Sequence, residues 1–207
     1  MRNNAHLNDE ELLTLLRDGD ESALLTLYRR RQGAVYRFAW HMSGSPEIAE
    51  DVTQEVFLGL INGANAFDAG KGSLANYLYG AARFQVLKRW ERERRFVPFA
   101  ADEEDSGWVK ELPDPDTDLF ADLARREIVA QVREAVLSLP PHYREVVVLC
   151  DLHELDDSLA AQVIGCAIGT VRSRLHRARG LLAGKLRTLA PVSNEGRAHS
   201  RTAEAWA

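Results

Sequence analysis

A chain of 207 residues, 45% hydrophobic and 28% charged, is long enough for one domain or two small ones and has the balance of a globular protein. Its formal charge of −5 argues against a protein that coats nucleic acid with its whole surface, because such binding scales with the phosphates neutralised. Cys150 and Cys166 are too few for a disulfide framework, no apolar run is long enough to span a bilayer, and the polar start MRNNAHLNDEE lacks the apolar centre of a secretion signal; a cytoplasmic protein without membrane insertion is expected.

Nearly every segment reads as helix. Asn8 and Glu11 make a capping-box pattern ahead of Leu12, Leu15 and Leu16, and Asp20 is placed to cap a second helix whose inner positions are Ala23, Leu24, Leu27, Tyr28, Val35, Phe38 and Ala39. Ser43, Gly44 and Ser45 break that helix, and Ser45 followed by Pro46 starts the next, since proline at the first helical position gives up no hydrogen bond. From Pro46 to Ile61 the inner set is Ile48, Ala49, Val52, Val56 and Leu60. The outer set is Glu47, Glu50, Asp51, Gln54, Glu55 and the apolar Leu58, a face that periodicity alone assigns to solvent.

Asn62 to Ser73 is a glycine-rich loop around Phe67. It lacks the GxxxxGK[ST] spacing and no strand precedes it, which argues against a nucleotide cradle. Leu74 to Arg95 is a basic helix in which Tyr77, Tyr79 and Phe84 alternate with Arg83, Lys88, Arg89, Arg92, Arg94 and Arg95, against an inner row of Leu74, Leu78, Ala81, Ala82, Gln85 and Trp90. Rings interleaved with cations suit single-stranded nucleic acid, where rings stack on unpaired bases and charges follow the backbone. The competing account makes the aromatics core and the arginines solvated.

Residues 96–122 change character. AADEEDSGWVKELPDPDTD has two prolines, many carboxylates and little apolar periodicity, the composition of an acidic, flexible linker. The pattern resumes over 123–189, with Leu123, Ile128, Val132, Val136 and Leu137 on one helix and Tyr143, Val146, Val147 and Leu149 on the next, while 190–207 reads as a disordered tail. A short helix then runs to Ile164, with Asp156 or Asp157 able to cap it and Gly165 able to take the positive φ of a tight turn. The following helix buries Ile168, Val171, Leu175, Ala178, Leu182 and Leu186, and no Asp or Glu occurs between Ser158 and Asn194. Short helix, glycine turn and longer basic helix is the helix-turn-helix order, in which the second helix enters the major groove. Thr170, Arg172, Ser173, Arg174, His176, Arg177 and Arg179 are its candidate DNA-facing residues.

Four stretches taken together, EIAEDVTQEVF (Glu47 to Phe57), FDAGKGSLANYLYGAAR (Phe67 to Arg83), LSLPPHYREVVVL (Leu137 to Leu149) and GTVRSRLHRAR (Gly169 to Arg179), resemble the extracytoplasmic-function sigma factors of bacterial RNA polymerase. The resemblance covers roughly Asp20 to Arg187 and implies an all-α chain. Residues 1–95 would be the sigma region 2 domain and 123–189 the region 4 helix-turn-helix domain, joined by the linker. It further implies that Glu50, Asp51, Gln54, Glu55 and Leu58 hold the polymerase β′ coiled coil, reversing the solvent reading of that face. Phe67, Lys71, Ser73, Tyr77, Arg83, Phe84, Lys88 and Arg89 would take the melted minus 10 strand, and the Arg172 to Arg179 helix the minus 35 duplex. The implied partners are the polymerase core through β′ and β, promoter DNA and an anti-sigma factor, the chain acting as a monomer on the core in a stress or envelope-signal response. Three positions depart from the family pattern: Phe84 where Asn is usual, Lys88 where Asp is common, and Leu159 where a carboxylate is usual.

The main rival is a stand-alone helix-turn-helix regulator that binds operator DNA without polymerase. An enzyme is a second: Cys150, His153, Cys166 and His176 form only a weak zinc-ligand pattern, and HExxH and G-x-S-x-G are absent, so no catalytic residue, cofactor or metal is assigned.

Overall fold

The computed structural model describes residue 4 and residues 6–63, 70, 72–96 and 119–189. Among these, every regular element is helical. Residues 97–118 of the segment read as acidic linker (96–122) and the tail (190–207), together with Phe67 and Lys71 of the glycine-rich loop, lie outside the described residues.

The local signals place the first four helices. Helix α1 (Asp9–Arg17) opens on a capping box in which Asn8 Oδ1 accepts from Glu11 N at 2.9 Å and Glu11 Oε2 accepts from Asn8 N at 2.7 Å. Asp20 caps α2 (Glu21–Ser43) by accepting from Ser22 N at 2.9 Å, and Gly44, at φ 81°, closes it in the left-handed region. Ser45 Oγ accepts from Ile48 N at 3.2 Å at the start of α3 (Pro46–Gly63), and Ser73 Oγ accepts from Asn76 N at 3.3 Å before α4 (Leu74–Phe96). These helices enclose a core that includes Leu12, Leu27, Phe38, Met42, Val52 and Leu60, each 0% exposed. Tyr28 meets Phe57 edge-on at 4.9 Å, and Asp9 ties α1 to α2 by accepting from Arg30 and Arg31.

The second half comprises α5 (Leu119–Leu137), α6 (Pro141–Val147), a widened π turn over Val148–Leu152, α7 (Asp157–Ile164) and α8 (Ile168–Leu189). Helix α5 begins inside the segment read as linker, four residues ahead of the expected boundary at 123. In the π turn His153 N donates to Val148 O at 3.0 Å, and the turn brings the His153 ring to Phe38 of α2 and Tyr79 of α4.

Several residues depart from their expected faces. Ile128 and Ile168 are 60% and 41% exposed instead of buried, whereas Tyr79, expected among the outward aromatics, is buried with Val86. Tyr79 is buried because α4 is covered twice. Helices α2 and α3 pack along one side and α7 along another, so its buried band is wider than one amphipathic stripe.

The two halves pack against each other. Carbonyls at the end of α2, which have no partner within their own helix, are taken up by arginines of the second half: Arg144 Nη1 donates to Met42 O, and Arg133 Nη2 donates to Gly44 O at 3.2 Å. Arg144 Nη2 also donates to Leu137 O and Leu139 O, so one guanidinium joins the ends of α2 and α5. The same cations lie against tryptophans of the first half, Arg133 at 3.4 Å from the Trp40 ring centre and Arg144 at 5.3 Å from Trp90. A Cβ at Gly44 would come within 3.2 Å of Leu137 Cδ1, so α5 crosses close over the α2 terminus.

Candidate nucleic-acid interface

The turn between α7 and α8 supplies the most specific geometry. Asp156 Oδ1 accepts from Leu159 N at 2.8 Å and caps α7, and Gly165 at φ 77° ends it. Ala160, Val171 and Ala178 are fully buried, so the two helices cross on small and branched side chains. With Val171, Leu175 and Ala178 turned inward, Arg172, Ser173, His176, Arg177 and Arg179 are exposed on the outer surface of α8, while Thr170 is half-buried. This arrangement lets a helix start enter a groove with several hydrogen-bond donors leading.

The arginines of α8 are not equivalent. Arg172 Nε donates to Asp157 Oδ2 at 2.8 Å with 70% of its side chain exposed, and Arg179 Nη2 donates to Asp151 Oδ1 at 2.6 Å while 61% exposed. Arg174 instead turns inward toward α6, where its Nη1 donates to Glu145 Oε1 at 3.2 Å. Glu145 Oε2 accepts at 2.8 Å from Nε of Arg83 on α4, and the Glu145 side chain is only 5% exposed. One buried carboxylate of α6 thus holds an arginine from each of the two basic helices.

On α4, Tyr77 and Phe84 are exposed, Phe84 by 63%, and Lys88 is exposed as well. Phe84, Lys88 and Ser73 therefore lie open to solvent. Arg83 faces the second half, and Arg89 turns toward α3, donating to Asp51 Oδ2 and Glu55 Oε1 at 3.1 Å each. Glu50, Asp51, Gln54, Glu55 and Leu58 form one exposed face of α3, with Leu58 57% exposed. That face is therefore continuous with the basic face of α4 through Arg89. The groove beside it, lined by Tyr28, Tyr36, Arg37, Glu50, Thr53 and Gln54, has a volume of about 530 Å³.

The zinc-ligand pattern is not brought together. His153 Nδ1 lies 2.9 Å from Tyr79 Oη, His176 is exposed on the outer surface of α8, and burial pushes the Cys150 thiol up to about 11, with Asp157 and Asp151 adding to the shift. Glu145, Arg133, Arg144 and His153, which join the halves, were not singled out for these roles from sequence. The available signal was Glu145 itself, a carboxylate leading directly into the apolar run Val146 to Leu149.

Residues 27–96 match the family described as Sigma-70 region 2, and residues 130–182 match Sigma-70, region 4. The ECF RNA polymerase sigma-E factor of Escherichia coli (strain K12) is 30% identical over 88% of this chain and 96% of its own length. This chain belongs to the sigma-70 family, in its ECF group. A second relative, the ECF RNA polymerase sigma factor SigE of Mycolicibacterium smegmatis, is 32% identical over 78% of this chain; the chain spans only 62% of that longer protein. Among solved structures, the sigma factor RpoE of Bartonella quintana, in complex with the anti-sigma factor NepR, shares the fold with a TM-score of 0.59 at 23% identity, over 77% of this chain and 94% of its own. Family membership makes the chain an alternative RNA polymerase sigma factor and disfavours the stand-alone operator-binding regulator. Among the described residues, no helix is long and apolar enough to cross a membrane.

Proposed function

We propose that this sigma factor engages a bacterial RNA polymerase core through the outward face of α3, with Asp51, Gln54, Glu55 and Leu58 at its centre, and directs it to promoter DNA with α4 and α8. In this reading the exposed Tyr77 and Phe84 stack on bases of the melted minus 10 strand while Lys88 and Arg89 follow its phosphates; Phe67, Lys71 and Ser73 line the path of a flipped base. The N-terminal part of α8, led by Thr170, Arg172, Ser173, His176 and Arg177, enters the minus 35 major groove, and Arg179 meets phosphate. The β subunit completes the grip on the core, and an anti-sigma factor, the class of partner named for the Bartonella relative, is the expected cytoplasmic antagonist.

The observation that carries the proposal is the Gly165 turn, which sets the exposed polar side chains of α8 on a capped partner helix. Transcription in vitro from a genomic library, with purified core polymerase and this protein, tests it. Promoter-specific transcripts sharing minus 10 and minus 35 elements are expected. Failure of the core to retain the protein would remove the polymerase reading, and transcripts insensitive to Arg172→Ala with Arg177→Ala would remove α8 as the minus 35 reader.

A further inference from the structure

We propose that His41 of α2 and His153, just past the π turn, form a two-coordinate site for a soft monovalent cation, cuprous copper, held between Nδ1 of His41 and Nε2 of His153. Both nitrogens are buried and have no hydrogen-bond partner in the protein. An imidazole nitrogen shut away from water without a partner has lost its hydration with nothing in return, and a native structure rarely tolerates this unless a water or an ion belongs there. Here two such atoms lie on neighbouring rings, whose centres are 6.2 Å apart. The surroundings suit a ligand pair. His153 Nδ1 is 2.9 Å from Tyr79 Oη, and with Nδ1–H donating to that oxygen the lone pair is left on Nε2, the usual arrangement of a ligating histidine. Trp40 stacks on His41 with ring centres 5.8 Å apart, and Phe38 meets His153 edge-on at 6.0 Å. These aromatic walls shield the pair from water.

Distance, donor count and charge each narrow the ion. An imidazole nitrogen binds a metal at about 2.0 Å, which puts the metal about 3 Å from each ring centre; a span near 6 Å then suits an ion bound in nearly a straight line, whereas a tetrahedral angle would draw the centres to about 5 Å. Among the described residues, no group of three or more His, Cys, Asp or Glu is placed to hold a metal, so the closed four-ligand shell of a structural zinc is missing. The side chains whose charge acts on the two rings are cations, Arg37 on both and Arg133 on His41, and they oppose a divalent ion more than a monovalent one. Burial is the main cause that holds both rings down to about 4, so near neutral pH no proton competes for their nitrogens. A monovalent ion that accepts two nitrogens in line, as cuprous copper does, meets all of these conditions, and imidazole is among the ligands that suit copper. Bound there, it would link α2 to the segment after the π turn and stabilise the folded chain by mass action.

The test uses the full chain carrying Cys150→Ser and Cys166→Ser, which removes thiols that would take copper in preference to imidazole. Cuprous ion is titrated without oxygen against bicinchoninate, a coloured chelator, at neutral pH. This parent protein is expected to withdraw one equivalent from the chelator. Zn(II), offered alone against a zinc dye, is expected not to be retained. His41→Gln with His153→Gln should abolish the withdrawal of copper, and Tyr79→Phe, which removes the oxygen that orients His153, should weaken it by about tenfold. X-ray absorption of the loaded parent reads the shell without any histidine variant: two nitrogen neighbours at about 2.0 Å and no sulfur are expected. No withdrawal by the parent overturns the site and leaves a bridging water as the partner of the two nitrogens. Undiminished withdrawal by the double histidine variant, retention of Zn(II) in place of copper, or a shell that contains sulfur or four light atoms overturns it too. If the double variant loses its helical circular dichroism, the absorption spectrum of the parent decides.

Discussion

Arg172 and Arg174 lie two residues apart on α8, and each donates to a carboxylate of another element, yet they belong to different kinds of surface. Arg172 stands on the open face with Asp157, 70% and 32% exposed, whereas Arg174 reaches into the seam between the halves, where Glu145 is 5% exposed. On the open face, water and salt screen the pair, and its formation or loss changes little. In the seam both partners have given up much of their hydration, so breaking the pair without opening the seam leaves a buried charge uncompensated. Identical chemistry therefore gives an available arginine in one region and a committed one in the other. The protein's stability should be sensitive at the seam and indifferent on the open face.

The largest effect is expected from Phe38, fully buried at the seam and edge-on to Tyr79 at 5.5 Å and His153 at 6.0 Å. Phe38→Ala should lower stability by about 3–5 kcal/mol in urea denaturation, because the rings around it cannot collapse fully into the space. Ile128→Ala, at a position 60% exposed, should change it by less than about 0.5 kcal/mol. If both substitutions cost the same, the seam and the outer surface would not differ in packing.

Protonation probes the seam from another side. Burial, with the charges of Arg133 and Arg37 adding to it, holds the His41 ring down to about 4; burial, with His41 and Arg37 adding to it, does the same for His153. Both rings are therefore neutral in the folded protein, while in the unfolded chain they take up protons near 6.5. Below 6.5 the unfolded state binds more protons, so the seam's contribution is complete above that pH, falls through the window from 6.5 to 4, and is lost below 4. Discounted for the partial exposure and mutual proximity of the rings, the loss for the two together is on the order of 3 kcal/mol. The urea midpoint should be flat from pH 8 to 7 and drop between pH 6.5 and 4.5, and His41→Gln with His153→Gln should flatten that drop. A midpoint insensitive to pH in the wild-type protein would mean that the rings are hydrated and the seam already open.

The open face and the seam were also unequally legible in the sequence. Caps, breaks and stripes are local, so Asn8 with Glu11, Asp20, Ser45 before Pro46, and Asp156 or Asp157 with Gly165 could be read from neighbours within a few residues; each is found in its expected role, with Asp156 rather than Asp157 capping α7. The inward row of α8 was equally plain at Val171, Leu175 and Ala178. The seam could not be read this way, because its partners are far apart in the chain: Arg83 and Glu145 are 62 positions apart, and Arg144 and Met42 are 102. Tyr79 was misplaced for the same reason, since a tyrosine on the outward side of one helical stripe gives no sign that a second layer, α7 and the π turn, will cover it.

Local signals still carry measurable energy. Asp156→Ala removes the side-chain acceptor for Leu159 N at the start of α7 and should cost about 1 kcal/mol in chemical denaturation, the usual worth of an N-cap. The loss should be the same at pH 7 and pH 8, because no seam histidine changes charge between them. A cap whose removal costs nothing would mean that packing on α8 alone sets the start of α7, and the turn's geometry would then owe less to local sequence than the spacing suggests.

The smallest effect concerns the pair that opened the comparison. Arg172 Nε and Asp157 Oδ2 are 2.8 Å apart, a distance that would count for several kcal/mol in a dry interior, but both side chains reach solvent. A double-mutant cycle with Arg172→Ala and Asp157→Ala in ~0.1 M salt should give a coupling of about 0.2–1 kcal/mol, falling toward zero near 1 M as screening shortens to about 3 Å. So weak a coupling costs little to exchange for a guanine edge or a phosphate, which is what a leading residue of a groove-entering helix requires. A coupling above about 1.5 kcal/mol that persists in high salt would place Arg172 with Arg174 among the committed arginines, and the open face of α8 would then have to be drawn around Ser173, His176 and Arg177 instead.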